Sequence, residues 1–343
     1  MQPDGAVPLR ARLASNRPAL GGAPLGNLFR ALDDATAHAT VQAALAAGTS
    51  YFDTAPHYGH GLSERRIGAA LHGVPRPAFL LSTKVGRLLT ACTDAPRAQH
   101  GYVDTLPFVQ HYDYTGRGMR RSLEESLRRL GLGHVDIAYV HDIDAATHGA
   151  EHPRHLRDLY ASGLAELARM KEEGIIAAYG LGVNDVAICI EVLARADLDV
   201  LLVAGRYTLA DQSALATLLP MCRARGVAVV LGGPFNSGIL ASGAHPADGT
   251  APYFNYAPAP ASLIERVAAI EGICSDYGVP LKAAALQFPR GHAAVACVLA
   301  GARTPAEVEE NARLARLPIP RAFWTALVER HLVDAASPVP EAA

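Results

Sequence analysis

The chain has 343 residues, a formal net charge of −2, an apolar fraction of 50% and 19% charged residues. This composition is typical of a soluble globular protein with one large domain or two small ones. A near-neutral charge without basic runs argues against nucleic-acid binding. The N-terminus lacks the apolar core of a signal peptide, and no stretch reaches the ~20 apolar residues of a membrane span. The five scattered cysteines show no C-x-x-C spacing, so we expect a reduced, cytoplasmic protein.

Short apolar runs, read as strands, alternate with amphipathic segments along almost the whole chain. In chain order the runs cover 18–28, 50–55, 79–85, 135–143, 177–183, 199–205, 227–234 and 294–301. Predicted helices follow at 35–47, 63–71, 118–130, 155–173, up to 196, up to 225, from 262, and at 304–316. Continuous apolar runs indicate strands buried on both faces, hence a parallel sheet. Eight strand–helix pairs favour an α/β fold, a closed (β/α)8 TIM barrel, over an open sheet. No G-x-G-x-x-G follows an early strand.

We expect a single barrel domain over residues 18–334, with 1–17 and 335–343 as mobile tails. Two connections, 86–117 and 234–261, are longer than a usual βα loop. Both follow strands, so both are predicted to cover the carboxyl-end face of the barrel, where barrel enzymes hold their substrates.

Four polar residues are predicted to meet at the carboxyl ends of neighbouring strands. Asp53 ends the second strand, Lys84 lies near the end of the third, and His141 ends the fourth, while Tyr58 lies in the loop after the second. We call these four residues the rim tetrad. A buried acid needs a partner, and Lys84, one strand away, is the expected one.

The rim tetrad has the chemistry of a proton-transfer site. A free tyrosine has a pKa of about 10. A nearby lysine ammonium stabilises the phenolate, and the carboxylate keeps the lysine charged. A neutral histidine can donate a hydrogen bond to a carbonyl oxygen. Taken singly, each residue has a simpler explanation: a helix cap, a structural ion pair, a satisfied core histidine or a packed tyrosine. Their joint placement on one rim favours catalysis.

Several motifs of this sequence resemble those of one known family. FDTAPHYG with SERRIG, the lysine of LSTKVGR, the histidine of DIAYVHDID, GLGVN and GARTPAEVEEN resemble the aldo-keto reductase family, over residues 18–318. The resemblance implies a (β/α)8 barrel, a nicotinamide cofactor bound extended, and the rim tetrad as catalytic, with Tyr58 as the general acid/base. It implies cofactor contacts from Asn184 (carboxamide), Gly233, Pro234, Phe235, Asn236, Gly238, Gly301, Arg303, Thr304, Glu307, and Glu310 with Asn311 on the adenine side. No metal is implied.

Within that family, segments 201–212 and 232–243 resemble a branch that oxidises a lactol or hemiacetal carbon to a lactone. The implied reaction is oxidation of C1 of an aldose such as L-fucose, L-galactose or D-arabinose. The alternatives are oxidation of pyridoxal at its 4-position, NADPH-dependent aldehyde reduction, or a silent dinucleotide-binding regulatory subunit. A binder has no need of Tyr58, so the complete tetrad argues against the last.

The cofactor-binding positions depart from the family pattern at three places. Ala204 and Val183 stand where many members carry glutamine and serine, so one amide contact to the nicotinamide is expected to be absent. Glu307 stands where NADP-dependent members typically have arginine, and a carboxylate repels a 2′-phosphate, which favours NAD over NADP. T-P-A-E is also a capping box with Thr304 as N-cap, so Glu307 has a purely structural alternative. Arg303 could still bind a phosphate.

Three histidines, His148, His152 and His155, have a spacing that could suggest a metal site. Pro153 is expected to interrupt any helix there and no cysteine accompanies them, so a solvated loop is the preferred interpretation. Hydrolase motifs (G-x-S-x-G, HExxH) are absent. We expect a small-molecule sugar or aldehyde substrate, and the sequence carries no signal for an oligomeric state.

Overall fold

The computed structural model describes residues 8–14, 17–247 and 249–340. The strands are β1 (Ala19–Gly21), β2 (Tyr51–Asp53), β3 (Leu80–Val85), β4 (Arg87–Ala91), β5 (Phe108–Tyr112), β6 (Ile137–His141), β7 (Ala178–Val183), β8 (Val200–Ala204), β9 (Ala228–Gly232), β10 (Tyr253–Phe254), β11 (Ala257–Pro258) and β12 (Val295–Gly301). Eight of them close a barrel in the order β1-β12-β9-β8-β7-β6-β3-β2. The predicted (β/α)8 barrel is confirmed.

Helices follow the barrel strands as the sequence predicts, with additions. They are α1 (Leu9–Leu13), α2 (Asp34–Ala46), α3 (Leu62–Leu71), α4 (Gly116–Leu130), α5 (Ala145–His148), α6 (His152–Asp158), α7 (Leu164–Glu172), α8 (Val186–Leu193), α9 (Leu218–Arg225), α10 (Ile239–Ser242), α11 (Ala261–Tyr277), α12 (Leu281–Gln287), α13 (Pro305–Leu314) and α14 (Arg321–Glu329). None in the described part of the chain is long and apolar enough to cross a membrane.

The chain divides into two compact units, which we describe separately. The larger unit comprises Ala19–Leu202 and Gly301–Glu309. The smaller unit comprises Met1–Pro18, Val203–Ala300 and Glu310–Ala343, as far as these are described. The larger unit holds the whole rim tetrad and the first long loop, and the smaller unit holds the second long loop.

Each long loop contains a short antiparallel pair of strands that the sequence did not reveal. In the larger unit β4 pairs with β5, with Arg87 opposite Tyr112 and Ala91 opposite Phe108. In the smaller unit β10 pairs with β11, with Tyr253 opposite Pro258. The first loop is therefore a hairpin fixed by backbone hydrogen bonds.

Part of the predicted N-terminal tail is packed within the smaller unit. Residues 1–7 and 15–16 lie outside the described residues, but α1 forms between them and Leu13 is buried. Arg10 donates a hydrogen bond from Nη1 to the carbonyl of Ala294 (3.2 Å) and another from Nη2 to the carbonyl of Ala293. These contacts hold the segment in place. At the other end, Ser337 is buried and residues 341–343 lie outside the described residues.

The register of the parallel strands decides which side chains share the carboxyl-end rim. In the larger unit Asp53 lies opposite Ser82 on β3, Lys84 lies opposite Tyr139 on β6, and His141 lies opposite Gly182 on β7. Because successive side chains alternate between faces, residues two apart on one strand point the same way. Ser82 and Lys84 therefore share a face, as do Tyr139 and His141.

Candidate active site

Asp53 and Lys84 form a buried ion pair at the rim. The Lys84 ammonium donates to Oδ2 of Asp53 (2.6 Å) and to the carbonyl of Thr54 (3.0 Å). Ser82 donates to the other carboxylate oxygen (2.6 Å). Burial raises the pKa of Asp53 above its ordinary value, and the Lys84 charge opposes that rise. The partner expected for Asp53 from the sequence is thus the one observed.

A polar layer supports this pair from within the barrel. The hydroxyl of Tyr51 lies 2.9 Å from Oγ of Ser82 and 3.1 Å from the hydroxyl of Tyr139. Burial raises the pKa of Tyr51 well above its usual value, so the phenol stays neutral. Gly182 leaves the space that Lys84 occupies, since a Cβ at this glycine would lie 3.2 Å from Cε of Lys84.

Tyr58 lies beside the lysine. The ammonium of Lys84 is 4.9 Å from the centroid of the Tyr58 ring, a distance at which its charge acts directly on the phenol. The ring of Tyr102, from the first long loop, stacks on Tyr58 with centroids 6.0 Å apart. Tyr58 is half-buried, so part of this residue is accessible to solvent.

His141 completes the cluster as a neutral imidazole. Its ring centroid lies 6.1 Å from that of Tyr58, in an edge-to-face arrangement. Burial lowers the pKa of His141 well below its usual value, and the Arg87 and Lys84 charges lower it further. Among the described residues, Nδ1 of this buried ring has no hydrogen-bond partner. A neutral imidazole can donate one hydrogen bond and accept another.

A second charged pair, which could not be predicted from the sequence, lies next to His141. Arg87, at the start of β4, forms an ion pair with Asp142, the residue after His141. Arg87 also lies 3.1 Å from Nδ1 of His57, the residue before Tyr58. Arg87 is 5% exposed. In the sequence, Arg87 ends the motif KVGR and is followed by the long loop. Its partners could not be predicted from that motif, because they depend on a hairpin that has no sequence signature here.

The three histidines assigned to a solvated loop are found in helical segments, and this prediction is wrong. Pro153 does not interrupt a helix: it occupies the first turn of α6, where a proline needs no amide hydrogen. His155 is buried, and its ring centroid is 4.4 Å from that of His148. His148 lies 2.9 Å, through Nε2, from the hydroxyl of Tyr114. No metal-binding group of three or more His, Cys, Asp or Glu residues is found in the described part of the chain.

The larger unit holds five of the predicted cofactor-binding residues. Asn184 directly follows β7, two residues after the partner of His141, so it lies at the same rim. After β12, which ends at Gly301, Thr304 caps α13 by accepting from the amide of Glu307 (3.3 Å). The predicted cap is therefore observed. The Glu307 carboxylate in turn accepts from the amide of Arg303 (2.7 Å).

Arg303 is itself engaged with the backbone of the larger unit. Its guanidinium donates to the carbonyls of Leu28 (2.5 Å) and Arg30 (3.3 Å). Burial lowers the pKa of Arg303, and the neighbouring Arg30 charge acts in the same direction. These hydrogen bonds occupy part of the donor set that a phosphate would need.

The smaller unit holds the other predicted cofactor-binding residues. Gly233, Asn236 and Gly238 all have positive φ angles (60°, 44° and 113°), and Pro234 and Phe235 lie between the first two. Asn236 is buried: it accepts from the hydroxyl of Thr208 and donates to the carbonyl of Gly205 (3.1 Å). At α13, Glu310 pairs with Lys282 (2.8 Å) and Asn311 is buried. Asn236 thus has a role inside the unit that the sequence did not indicate.

A closed (β/α)8 barrel that gathers an Asp–Lys pair, a tyrosine and a neutral histidine at one rim is the architecture of a barrel oxidoreductase. The family model for the aldo/keto reductase family matches residues 19–330. The chain belongs to the aldo/keto reductase family, as its motifs indicated.

Two characterised relatives are equally similar. The chain is 41% identical over 325 residues to pyridoxal 4-dehydrogenase of Microbacterium luteolum, covering 92% of this chain and 94% of the relative. It is 41% identical over 326 residues to D-threo-aldose 1-dehydrogenase of a Pseudomonas species, with the same coverage. The fold matches that of an aldo-keto reductase from Bacillus halodurans, with a TM-score of 0.70, 23% identity and coverage of 93% and 92%.

Proposed function

We propose that the protein is an NAD(P)-dependent aldose 1-dehydrogenase that oxidises the anomeric carbon of a sugar to a lactone. The proposal is supported by the 41% identity to D-threo-aldose 1-dehydrogenase. It is equally supported by the rim tetrad, whose four members are contributed by β2, β3, β6 and the loop after β2. L-fucose, L-galactose and D-arabinose are the proposed substrates.

The observation that carries the proposal is the position of the Lys84 ammonium, between the Asp53 carboxylate and the ring of Tyr58. A bound nicotinamide supplies the hydride acceptor for such a reaction. The chain's own residues then have to move one proton. Tyr58 as phenolate takes it from the anomeric hydroxyl, with Lys84 stabilising the phenolate and Asp53 holding Lys84 in place. Neutral His141 hydrogen-bonds the same substrate oxygen and orients it.

The residues present are compatible with a nicotinamide cofactor. The Asn184 amide would pair with the carboxamide at the carboxyl-end rim, which Asn184 shares with His141. We propose NAD as the preferred cofactor. A carboxylate at position 307 repels a 2′-phosphate, and the Arg303 guanidinium is engaged with two backbone carbonyls. Glu307 also accepts from the Arg303 amide, so its charge has a structural role as well.

A second candidate, oxidation of pyridoxal, is favoured by the equal identity to pyridoxal 4-dehydrogenase. The same proton transfer serves both reactions, because each removes a hydride from one carbinol or hemiacetal carbon and a proton from the hydroxyl on that carbon. The two candidates differ only in the substrate that the loops accept.

Initial rates of nicotinamide reduction separate the candidates. The assay uses L-fucose, L-galactose, D-arabinose and pyridoxal in turn, each with NAD and with NADP. Oxidation of the sugars with NAD supports the first proposal. Activity confined to pyridoxal moves the assignment to the second. Activity only as NADPH-dependent aldehyde reduction contradicts both, and failure of all turnover despite cofactor binding supports a regulatory subunit.

A further inference from the structure

The ion pair between Arg87 and Asp142 links the chain neighbours of two tetrad residues. Asp142 follows His141, and His57, which Arg87 also contacts, precedes Tyr58. Arg87 reaches them from the first residue of β4, directly after Gly86. Gly86 has a φ of 95°, a conformation that glycine adopts without strain. The Arg87 side chain thus contacts both the residue that follows His141 and the residue that precedes Tyr58.

The Asp142 carboxylate also lies beside the His141 ring. Its Oδ2 lies 3.4 Å from Nε2 of His141 and is the same atom that pairs with Arg87. Asp142 has a positive φ of 42°, and its amide donates to the carbonyl of Gly182 (3.1 Å), so the backbone holds the carboxylate beside the ring. Without a cation, this carboxylate would attract the proton of the imidazole.

The charges that face His141 come from every element packed around it. Cations balance anions only because Arg87 is present: Lys84 is matched by Asp53, and Arg87 is matched by Asp142. The facing groups are Lys84 on β3, Arg87 on β4, His57 and Tyr58 in the loop after β2, Asp142 after β6, and Tyr114, whose hydroxyl donates to the His141 carbonyl.

We propose that Arg87 is a positioning residue that compensates the Asp142 carboxylate, so that His141 stays a neutral hydrogen-bond donor at working pH. Without Arg87, His141 would lie beside the uncompensated carboxylate of Asp142. The inference rests on the proposed function for its catalytic meaning, but the protonation state of His141 is a property of the protein without substrate.

Arg87→Met is expected to raise the pKa of His141 by about 1–3 units, the range for an opposite charge within 4–6 Å. Arg87→Met combined with Asp142→Asn removes both charges and is expected to return the His141 pKa close to the wild-type value. Asp142→Asn alone should leave it as low as in the wild type or lower. In the activity assay, Arg87→Met should move the acid limb of kcat/KM to higher pH by the same amount.

The primary measurement is an NMR titration of the imidazole signals, with the His141 signal assigned by its absence in His141→Gln. The matched control is Arg121→Met, which removes an exposed arginine of α4 that pairs with Glu125. This variant should leave the pKa of His141 unchanged. Where Arg87→Met does not fold, as judged by circular dichroism, Arg87→Gln provides the uncharged side chain.

An unchanged His141 pKa in the Arg87 variant overturns the proposal, and so does a rise that persists when Asp142 is also removed. Loss of activity at every pH with no change in the titration would mean that Arg87 is only structural. The titration needs no substrate, so it can succeed even if the sugar assay fails, which separates this inference from the proposed function.

Discussion

Among single residues, Asp53 and Lys84 form the most completely buried ion pair in the described part of the chain. Removing one member of a buried pair leaves the other charge uncompensated, which costs about 3–5 kcal/mol. We therefore expect Lys84→Met to lower the free energy of unfolding by that amount at pH 7, measured by urea denaturation. Protonation of Asp53 removes the uncompensated charge, so the deficit should shrink as the pH falls.

The control for this prediction is the double variant Lys84→Met, Asp53→Asn, which carries no buried charge. It should recover much of the lost stability while remaining inactive. A double variant as unstable as the single one would show that packing, rather than charge, carries the contribution of Lys84.

Tyr58 is proposed to act only in proton transfer, so its hydroxyl should matter for turnover and not for cofactor binding. Tyr58→Phe is expected to reduce kcat by about 10²–10⁴-fold, the usual contribution of a general acid or base. Quenching of protein fluorescence by NADH should still report binding. Tyr277→Phe, which removes a hydroxyl from the exposed face of α11, is the matched control. Near-normal turnover in Tyr58→Phe would contradict the mechanism.

Some residues of the candidate site could be placed from the sequence, and others could not. Asp53, Lys84 and His141 could be placed because each ends a strongly apolar strand, and strand ends of a parallel barrel share a rim. Arg87 and Asp142 could not be paired from the sequence, because their contact depends on how β4 turns back over the barrel. That turn depends on the conformation of Gly86 and on pairing with a strand more than fifteen residues further along.

At the scale of elements, the first turn of α13 combines a structural cap with a proposed cofactor contact. We expect Glu307→Arg to shift the ratio of kcat/KM values from NAD toward NADP, because it replaces a repulsive charge by an attractive one. The ratio is measured from initial rates with the two cofactors at one substrate concentration.

The matched variant is Glu307→Gln, which keeps an oxygen acceptor for the Arg303 amide and removes only the charge. It should give an intermediate ratio with unchanged thermal stability. If both variants leave the ratio unchanged, Glu307 is a cap and nothing more, and the argument for NAD loses its main support.

The boundaries of α2, α3, α4 and α13 were predicted to within two residues, and those of α6 and α7 were not. The predicted helix over 155–173 is instead α6 and α7 joined by a π-helical turn over Leu159–Gly163. The segments on both sides of this turn are helical, so the sequence pattern predicted one continuous helix. Helices α12 and α14 lack a preceding barrel strand, which is why an alternating strand–helix reading missed them.

At the scale of the whole molecule, buried histidines link folding to pH. The pKa of His148 is lowered to about 4, by burial first and by the neighbouring His155 second. An unfolded histidine has a pKa of about 6.5. Below that value the unfolded chain binds protons that the native His148 does not, so native stability is present above pH 6.5 and declines as the pH falls toward 4.

We expect the free energy of unfolding to fall less steeply between pH 6.5 and 4 in His148→Gln than in the wild type. The difference in slope corresponds to at most one bound proton per molecule. The measurement is urea denaturation at a series of pH values. His72→Gln, at an exposed histidine after α3, should leave the slope as in the wild type. A slope unchanged by His148→Gln would show that the other buried histidines account for the acid sensitivity.

The four residues of the rim tetrad fall within one uninterrupted stretch of the chain, from position 53 to position 141, inside the larger unit. The second long loop is encoded separately, well downstream. Genetic recombination with a breakpoint between the two could therefore exchange that loop while passing on the rim tetrad intact. A lineage built this way can acquire a new loop together with an unchanged tetrad, and chimeras made in the laboratory can use the same breakpoint.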